Sequence, residues 1–260
     1  MVQTKRVDKQ FIADLAGKTL FNEELLANDY YLTRMLYIIK DVKGIYFKGG
    51  TALQKIFLNY ARLSEDLDFT VTVAVTDTEQ RIRELLEPQE FVKKIAHDKS
   101  VHKFVRMIVY YDNFSGEEDN ILIDLNERGK LLTEPETYKI THFYPDIPEF
   151  TFQTLSKEEM IAEKIAAAIG RNQPRDHYDI YKIIKAKIPI NMEMVKRKCK
   201  DSNVEFSIIK MFNKAQKLKN RWDEDLIPLL SEEVSFKEVV TTLAKHFKLK
   251  EEKANRKNKQ

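Results

Sequence analysis

Residues 47–53 read FKGGTAL, and residues 62–73, after a short connection, read RLSEDLDFTVTV. From Asp66 to Val73 polar and apolar residues alternate strictly, the signature of a strand with one face in a core. Side chains two apart on a strand share a face. Asp66 and Asp68 therefore point the same way, with Leu67, Phe69, Val71 and Val73 directed inward. Two neighbouring carboxylates repel unless a cation joins them, and a hard divalent ion such as Mg²⁺ takes one or two carboxylates together with phosphate oxygens. Upstream, Gly49-Gly50-Thr51 opens a helix. Such a turn brings bare backbone N–H groups and the positive helix end to a phosphate. A phosphate cradle followed by Asp-x-Asp is equipment for nucleotide chemistry. The bland alternative is a solvated strand face after an ordinary glycine turn; the order of the elements, with Arg62 and Ser64 between them, favours the chemical reading.

Working outward, Ile45–Phe47 reads as a short buried strand before the glycines, and 52–60 as a helix after them. Apolar spacing from Phe11 to Ile39 is helical. A polar helix over 78–86 precedes two β-rich runs, 104–111 and 121–125, which the turn Asn113-Phe114-Ser115-Gly116 sets antiparallel. Asp124 lies within the second run, where an unpaired charge is costly. It is either a third carboxylate of a metal site or a strand acid making hydrogen bonds. From Ser156 onward the pattern is helical, with Ser156 and Glu159 fitting a capping box. The expected organisation is α+β, with an α+β domain over 1–150 and a helical domain over 151–260.

The chain has 260 residues, 44 basic and 41 acidic, for a net charge of +3, so it is no globally basic nucleic-acid binder. One cysteine, Cys199, excludes an intrachain disulfide and argues against a thiolate zinc site. His97, His102, His142, His177 and His246 lack metal-ligand spacing. Neither a signal-peptide core nor an apolar run of about 18 residues is present, so a cytoplasmic location and no membrane association are expected.

FKGGTALQK and ARLSEDLDFTV resemble the first motif of the AbiEii/AbiGii nucleotidyltransferase toxins, members of the DNA polymerase β-like superfamily. EEMIAEKIAAAIGRNQPRDHYDIYKI, from Glu158, is similar to that family's second signature. The resemblance covers roughly residues 40–185. It implies a mixed, largely antiparallel nucleotidyltransferase sheet with a helical C-terminal domain, and transfer of a nucleoside monophosphate from an NTP. The acceptor it suggests is the 3′ end of tRNA, in a toxin silenced by a cognate antitoxin. Its metal pair falls on Asp66 and Asp68, serving Mg²⁺ or Mn²⁺, and its phosphate turn on Gly49, Gly50 and Thr51. Asp124 sits where related enzymes often have a third carboxylate.

On the helix of the second signature, Lys164 and Arg171 project together, and two cations suit a triphosphate. They are equally the solvated face of an amphipathic helix. Asp176 and Asp179, three apart on the next helix, either orient those cations or act on the attacking hydroxyl. Ser64 and Lys164 are further candidate phosphate contacts. Met194–Arg221 holds nine basic residues against two acidic ones, a surface suited to an RNA backbone. Two other classes of function compete: a catalytically silent nucleotide- or RNA-binding module, and a kinase-type phosphotransferase. Retention of the costly Asp66–Asp68 pair argues against the first.

Overall fold

The computed structural model describes residues 6–257. The chain divides after Ser156 into two compact units. In the first, Asp8 caps helix α1 (Lys9–Thr19) by accepting from the Phe11 N–H at 2.8 Å. Asn22 likewise caps α2 (Glu23–Ile39) at Leu25. An acceptor side chain at this position satisfies a donor the helix cannot. Leu26, Leu32, Met35, Leu36 and Ile39 of α2 are fully buried, and the helix packs on the sheet through β2 (Asp66–Val71) and β5 (Glu118–Asn126).

The sheet also contains β1 (Ile45–Lys48), β3 (Val92–Val101), β4 (Phe104–Asp112), β6 (Glu136–Lys139) and β7 (Thr151–Thr154), in the order β3-β4-β5-β2-β1-β7-β6. Strand β2 pairs antiparallel with β1 and parallel with β5, while β7 is parallel to β1. The other three pairings are antiparallel. The sheet is thus mixed and largely antiparallel. The rings of Phe47, Phe69 and Phe152 meet at 5.5–5.7 Å across three neighbouring strands and form its apolar centre. Edge strand β3 carries exposed Lys93, Lys94 and Lys99 and two register irregularities, features that discourage pairing with foreign strands.

Two local expectations are corrected. Strand β2 ends at Val71, and Val73 lies 46% exposed rather than in the core. The helix expected over 52–60 is instead one α-turn, α3 (Gly49–Ala52), that widens into a π-turn at Leu53–Phe57 and ends in left-handed residues Asn59 and Tyr60. Helix α4 (Val75–Leu86) packs against β4 and β5.

The second unit is helical: α5 (Lys157–Arg171), α6 (Pro174–Lys185), α7 (Met192–Asp201), α8 (Ile208–Phe212), α9 (Ala215–Asn220), α10 (Trp222–Asp225), α11 (Phe236–His246) and α12 (Leu249–Lys257). Its core takes Met160, Ile161, Ile165, Ala168 and Ile169 from α5, with Val195 and Cys199 from α7. Pro174 opens α6 at a position where its missing N–H costs nothing. Among the described residues no helix is long and apolar enough to cross a membrane.

Candidate active site

Strand β2 carries Asp66 and Asp68 on its half-exposed face, while Leu67 and Phe69 between and after them are fully buried. Register sets Asp68 beside Lys48 of β1 on one side and Asp124 of β5 on the other. The glycine turn comes directly off Lys48, so the phosphate-binding candidates and the carboxylates share one end of two adjacent strands.

Contact between turn and strand is close. Gly49 has φ +78°, and a side chain there would put its Cβ 2.9 Å from Asp68 Cγ and nearer still to Oδ2. Only glycine admits both the left-handed backbone and that carboxylate. A Cβ on Gly50 would lie 2.8 Å from the Arg62 guanidinium and 3.1 Å from Ser64 Oγ. The buried Thr51 hydroxyl donates to the Asp66 carbonyl at 2.5 Å, tying the turn to β2. Thr51 thus contributes its backbone to the turn while its hydroxyl serves as a tether. Gly49, Gly50, Thr51, Ser64, Asp66 and Asp68 all come together as the sequence suggests.

Asp124 stands next to Asp68 but is held by Arg106 of β4, whose Nε and one terminal nitrogen donate to its two oxygens at 2.7 Å each. These bonds raise the Arg106 pKa above its ordinary value against the opposing effect of burial, with Asp66 and Asp98 adding to the field. Both Asp124 oxygens are thus engaged within the sheet, at a position directly beside Asp68. Among the described residues no group of three or more His, Cys, Asp or Glu is gathered for a metal. Asp66 and Asp68 nevertheless suit a hard cation. They offer charged oxygen donors at a partly open strand face, beside a turn whose lack of a side chain leaves room at Asp68. Arg106 leaves its own trace in the sequence, the one charged residue inside the apolar run FVRMIVYY.

In the helical unit, Lys164, Arg171, Asp176 and Asp179 form one cluster. The buried Lys164 ammonium lies 3.1 Å from Asp176 Oδ1 and 2.9 Å from Asp179 Oδ2. Arg171, more exposed, donates to both Asp176 oxygens at 2.8 and 2.9 Å. Burial pushes the Asp176 carboxyl upward, but Lys164 and Arg171 outweigh it and hold the group well below the ordinary carboxylate range. Asp176 therefore orients both cations, and Asp179 shares in fixing Lys164.

The basic stretch Met194–Arg221 is less uniform than its composition implies. Lys198 is buried, 2.6 Å from Glu159 and 3.1 Å from Glu163, which removes it from any RNA face. Lys196 pairs with Glu193, Lys210 with Glu205, and Arg221 with Asp225. Arg197, Lys200, Lys214, Lys217 and Lys219 are exposed.

A family model described as "Nucleotidyl transferase AbiEii toxin, Type IV TA system" matches residues 31–244. Among solved structures, MenT4, a nucleotidyltransferase toxin from Mycobacterium tuberculosis, is similar at a TM-score of 0.63 and 17% identity, over 92% of this chain and 98% of that one. JHP933 from Helicobacter pylori is similar at a TM-score of 0.56 and 17% identity, over 92% and 96% of the two chains. A further Helicobacter pylori protein, described as a candidate nucleotidyltransferase, reaches a TM-score of 0.61 at 19% identity, over 88% and 95%. At such identities the likeness is one of fold. No curated protein sequence matches the chain.

Proposed function

Since this chain belongs to the AbiEii family of nucleotidyltransferase toxins from type IV toxin–antitoxin systems, and is therefore a nucleotidyltransferase, we propose that it transfers a nucleoside monophosphate from an NTP to the 3′ end of a tRNA. Family membership brings with it an NTP substrate and an antitoxin partner. The observation that best supports the finer reading is the packing of Asp68 against Gly49, beside the turn tethered to β2 through Thr51.

Asp66 and Asp68 would hold Mg²⁺ or Mn²⁺. When bound, such an ion neutralises triphosphate charge and makes the acceptor hydroxyl easier to deprotonate. The chain's own groups do the positioning. Backbone N–H groups of Gly49 and Gly50 bind phosphate oxygens, and Ser64, held against Gly50, stands next to them. Within the helical unit, Asp176 and Asp179 align Lys164 and Arg171, and a fixed pair of cations is chemistry suited to phosphate. The acceptor hydroxyl oxygen forms the new bond to the α-phosphorus as the bond to pyrophosphate breaks, a reaction governed by placement and charge neutralisation. Arg106 restrains Asp124, so the β2 pair would hold such an ion in preference to a set of three carboxylates. Exposed Arg197, Lys200, Lys214, Lys217 and Lys219 suit the sugar–phosphate backbone of the acceptor. The setting in which NTP and tRNA meet is the cytoplasm.

The test is incubation with each α-labelled NTP and total RNA. Label entering the tRNA band with release of pyrophosphate supports the reading. Release of NDP would instead mean kinase chemistry, and binding without any product would mean a silent module. Loss of labelling in Asp68→Asn ties the transfer to this site.

A further inference from the structure

Thirteen residues, 53–65, connect the glycine turn to the carboxylate strand, and the backbone of the first part is unusual. Leu58 N–H bonds to the Leu53 carbonyl at 2.9 Å, five residues back, and Tyr60 N–H to that of Gln54 at 3.0 Å. Asn59 and Tyr60 then both adopt left-handed φ, 46° and 55°. For residues with a side chain each such conformation costs about 1–2 kcal/mol. Wide turns and consecutive left-handed residues persist only where their surroundings over-determine them.

What over-determines them is a buried polar network. Lys55, inside the π-turn, directs all three ammonium protons to partners: Asp29 Oδ1 at 2.7 Å, Thr33 Oγ1 at 2.9 Å and the Tyr60 hydroxyl at 2.6 Å. Asp29 Oδ2 accepts from the Tyr144 hydroxyl at 2.8 Å and lies 3.1 Å from that of Tyr60. The Thr141 N–H donates to the Lys55 carbonyl at 3.0 Å. Lys55 and Asp29 are almost wholly inaccessible, with side chains 1% and 2% exposed. A buried ion pair is a poor stabiliser, because an apolar pair of similar volume often does as well or better. Its strength lies in demanding one geometry, since every partner left unmet in such a network is costly.

We propose that Lys55 and Asp29, with the Tyr60 and Tyr144 hydroxyls, are positioning residues for nucleotidyl transfer, clamping the strained connector so that the Gly49–Thr51 turn is held in place against Asp66 and Asp68. The clamp reaches the turn along the chain. Lys55 follows Thr51 by one helical turn. Its neighbour Gln54 accepts from the Arg62 N–H at 3.2 Å, and the Arg62 guanidinium lies against Gly50. Thr51 in turn is bonded to Asp66. Tyr144 and Thr141 bring in the segment before β7, so the clamp ties α2, the connector and that segment to one point.

The inference rests on the function proposed above, and its test separates the two. The double variant Lys55→Met/Asp29→Leu removes both charges and strands neither; Tyr60→Phe deletes only one hydroxyl. Three quantities are read on the full chain: melting temperature, amide hydrogen exchange along the chain, and kcat and KM for transfer. The expected result is a folded protein with near-wild-type melting temperature and loss of exchange protection confined to residues 49–63. Transfer should fall roughly 10- to 100-fold, the scale of a small misplacement at a reacting centre. Unchanged protection at 49–63, or protection lost evenly through the first unit with a matching fall in melting temperature, would overturn it. Should the double variant fail to fold, Tyr60→Phe decides by the same readouts. A wild type that transfers no nucleotide refutes the proposed function, and the exchange pattern alone then decides whether the clamp holds the turn.

Discussion

Arg106 grips Asp124 through both carboxylate oxygens at 2.7 Å, one strand away from Asp68. An acid so engaged is a poor third ligand. Asp124→Asn should therefore leave the Mg²⁺ concentration for half-maximal transfer close to wild type, with a stability loss on the order of 1 kcal/mol for a partly exposed pair. A large rise in that Mg²⁺ requirement would put Asp124 among the metal ligands.

Asp68→Asn and Asp66→Asn each remove one charged oxygen donor from a half-exposed strand face. Transfer should drop by roughly a hundred- to a thousandfold, on the scale of losing a preorganised electrostatic group, while circular dichroism and melting temperature stay near wild type. Expression of the wild type should arrest growth, and Asp68→Asn should relieve the arrest.

Gly49→Ala meets two obstacles, a left-handed φ of +78° and the Asp68 carboxylate. We expect a stability cost of about 1–2 kcal/mol from the backbone and a severe loss of transfer. Gly17→Ala in helix α1, where a new Cβ meets nothing within 4 Å, is the matched control. It should stabilise by roughly 0.5–1 kcal/mol. Paired melting curves and rates separate local crowding from a general glycine effect.

Asp176 titrates far below its unfolded value because Lys164 and Arg171 outweigh the cost of its burial. A carboxyl depressed in the folded state contributes stability that is complete above its unfolded pKa, about 3.9. That contribution is lost as pH falls towards the folded value. Wild-type stability should thus decline below about pH 4. Asp176→Asn, which leaves two cations with one fewer acid, should cost about 3–5 kcal/mol at neutral pH and show a flatter acid limb. Urea titrations across pH would record both.

Lys198→Glu would set a third carboxylate beside Glu159 and Glu163 in a buried site, and should unfold the helical unit. Reversing exposed Arg197, Lys200, Lys217 and Lys219 should instead leave the fold intact and weaken RNA binding far more than NTP binding. The slope of log affinity against log salt should become shallower by about one for each phosphate the variant no longer neutralises. Equal RNA affinity before and after reversal would identify the stretch as a merely solvated face.

The central strand is legible in the sequence because its alternation and its glycine turn are local signals. One departure has a non-local cause. The helix expected over 52–60 follows from apolar spacing alone, yet Lys55 must meet Asp29 from another helix, and that pairing decides how the segment ends. Lysine in an apolar helical run, and aspartate in the middle of a second one, are the hints the sequence holds. Strand β3 escapes a reading by periodicity because both its faces are rich in charge, as befits an edge. Strands β6 and β7 are four residues each, too short for a period to register. Asp176 and Asp179 are recognisable as a pair, but that Asp176 serves Lys164 and Arg171 at once depends on how α5 and α6 pack, which spacing does not encode.

The parallel pairing of β1 with β7 joins Phe47 to Thr154, and this has a consequence in time. Strand β1, from which the phosphate turn springs, lacks one of its two neighbours until residue 154 has left the ribosome, whereas β2 and the glycine turn emerge early. Long-range strand pairing of this kind is slow and comes late. A nascent or prematurely terminated chain therefore carries the carboxylate strand with both of its own neighbours, β1 and β5, while β1, the base of the phosphate turn, still lacks β7 on its other side.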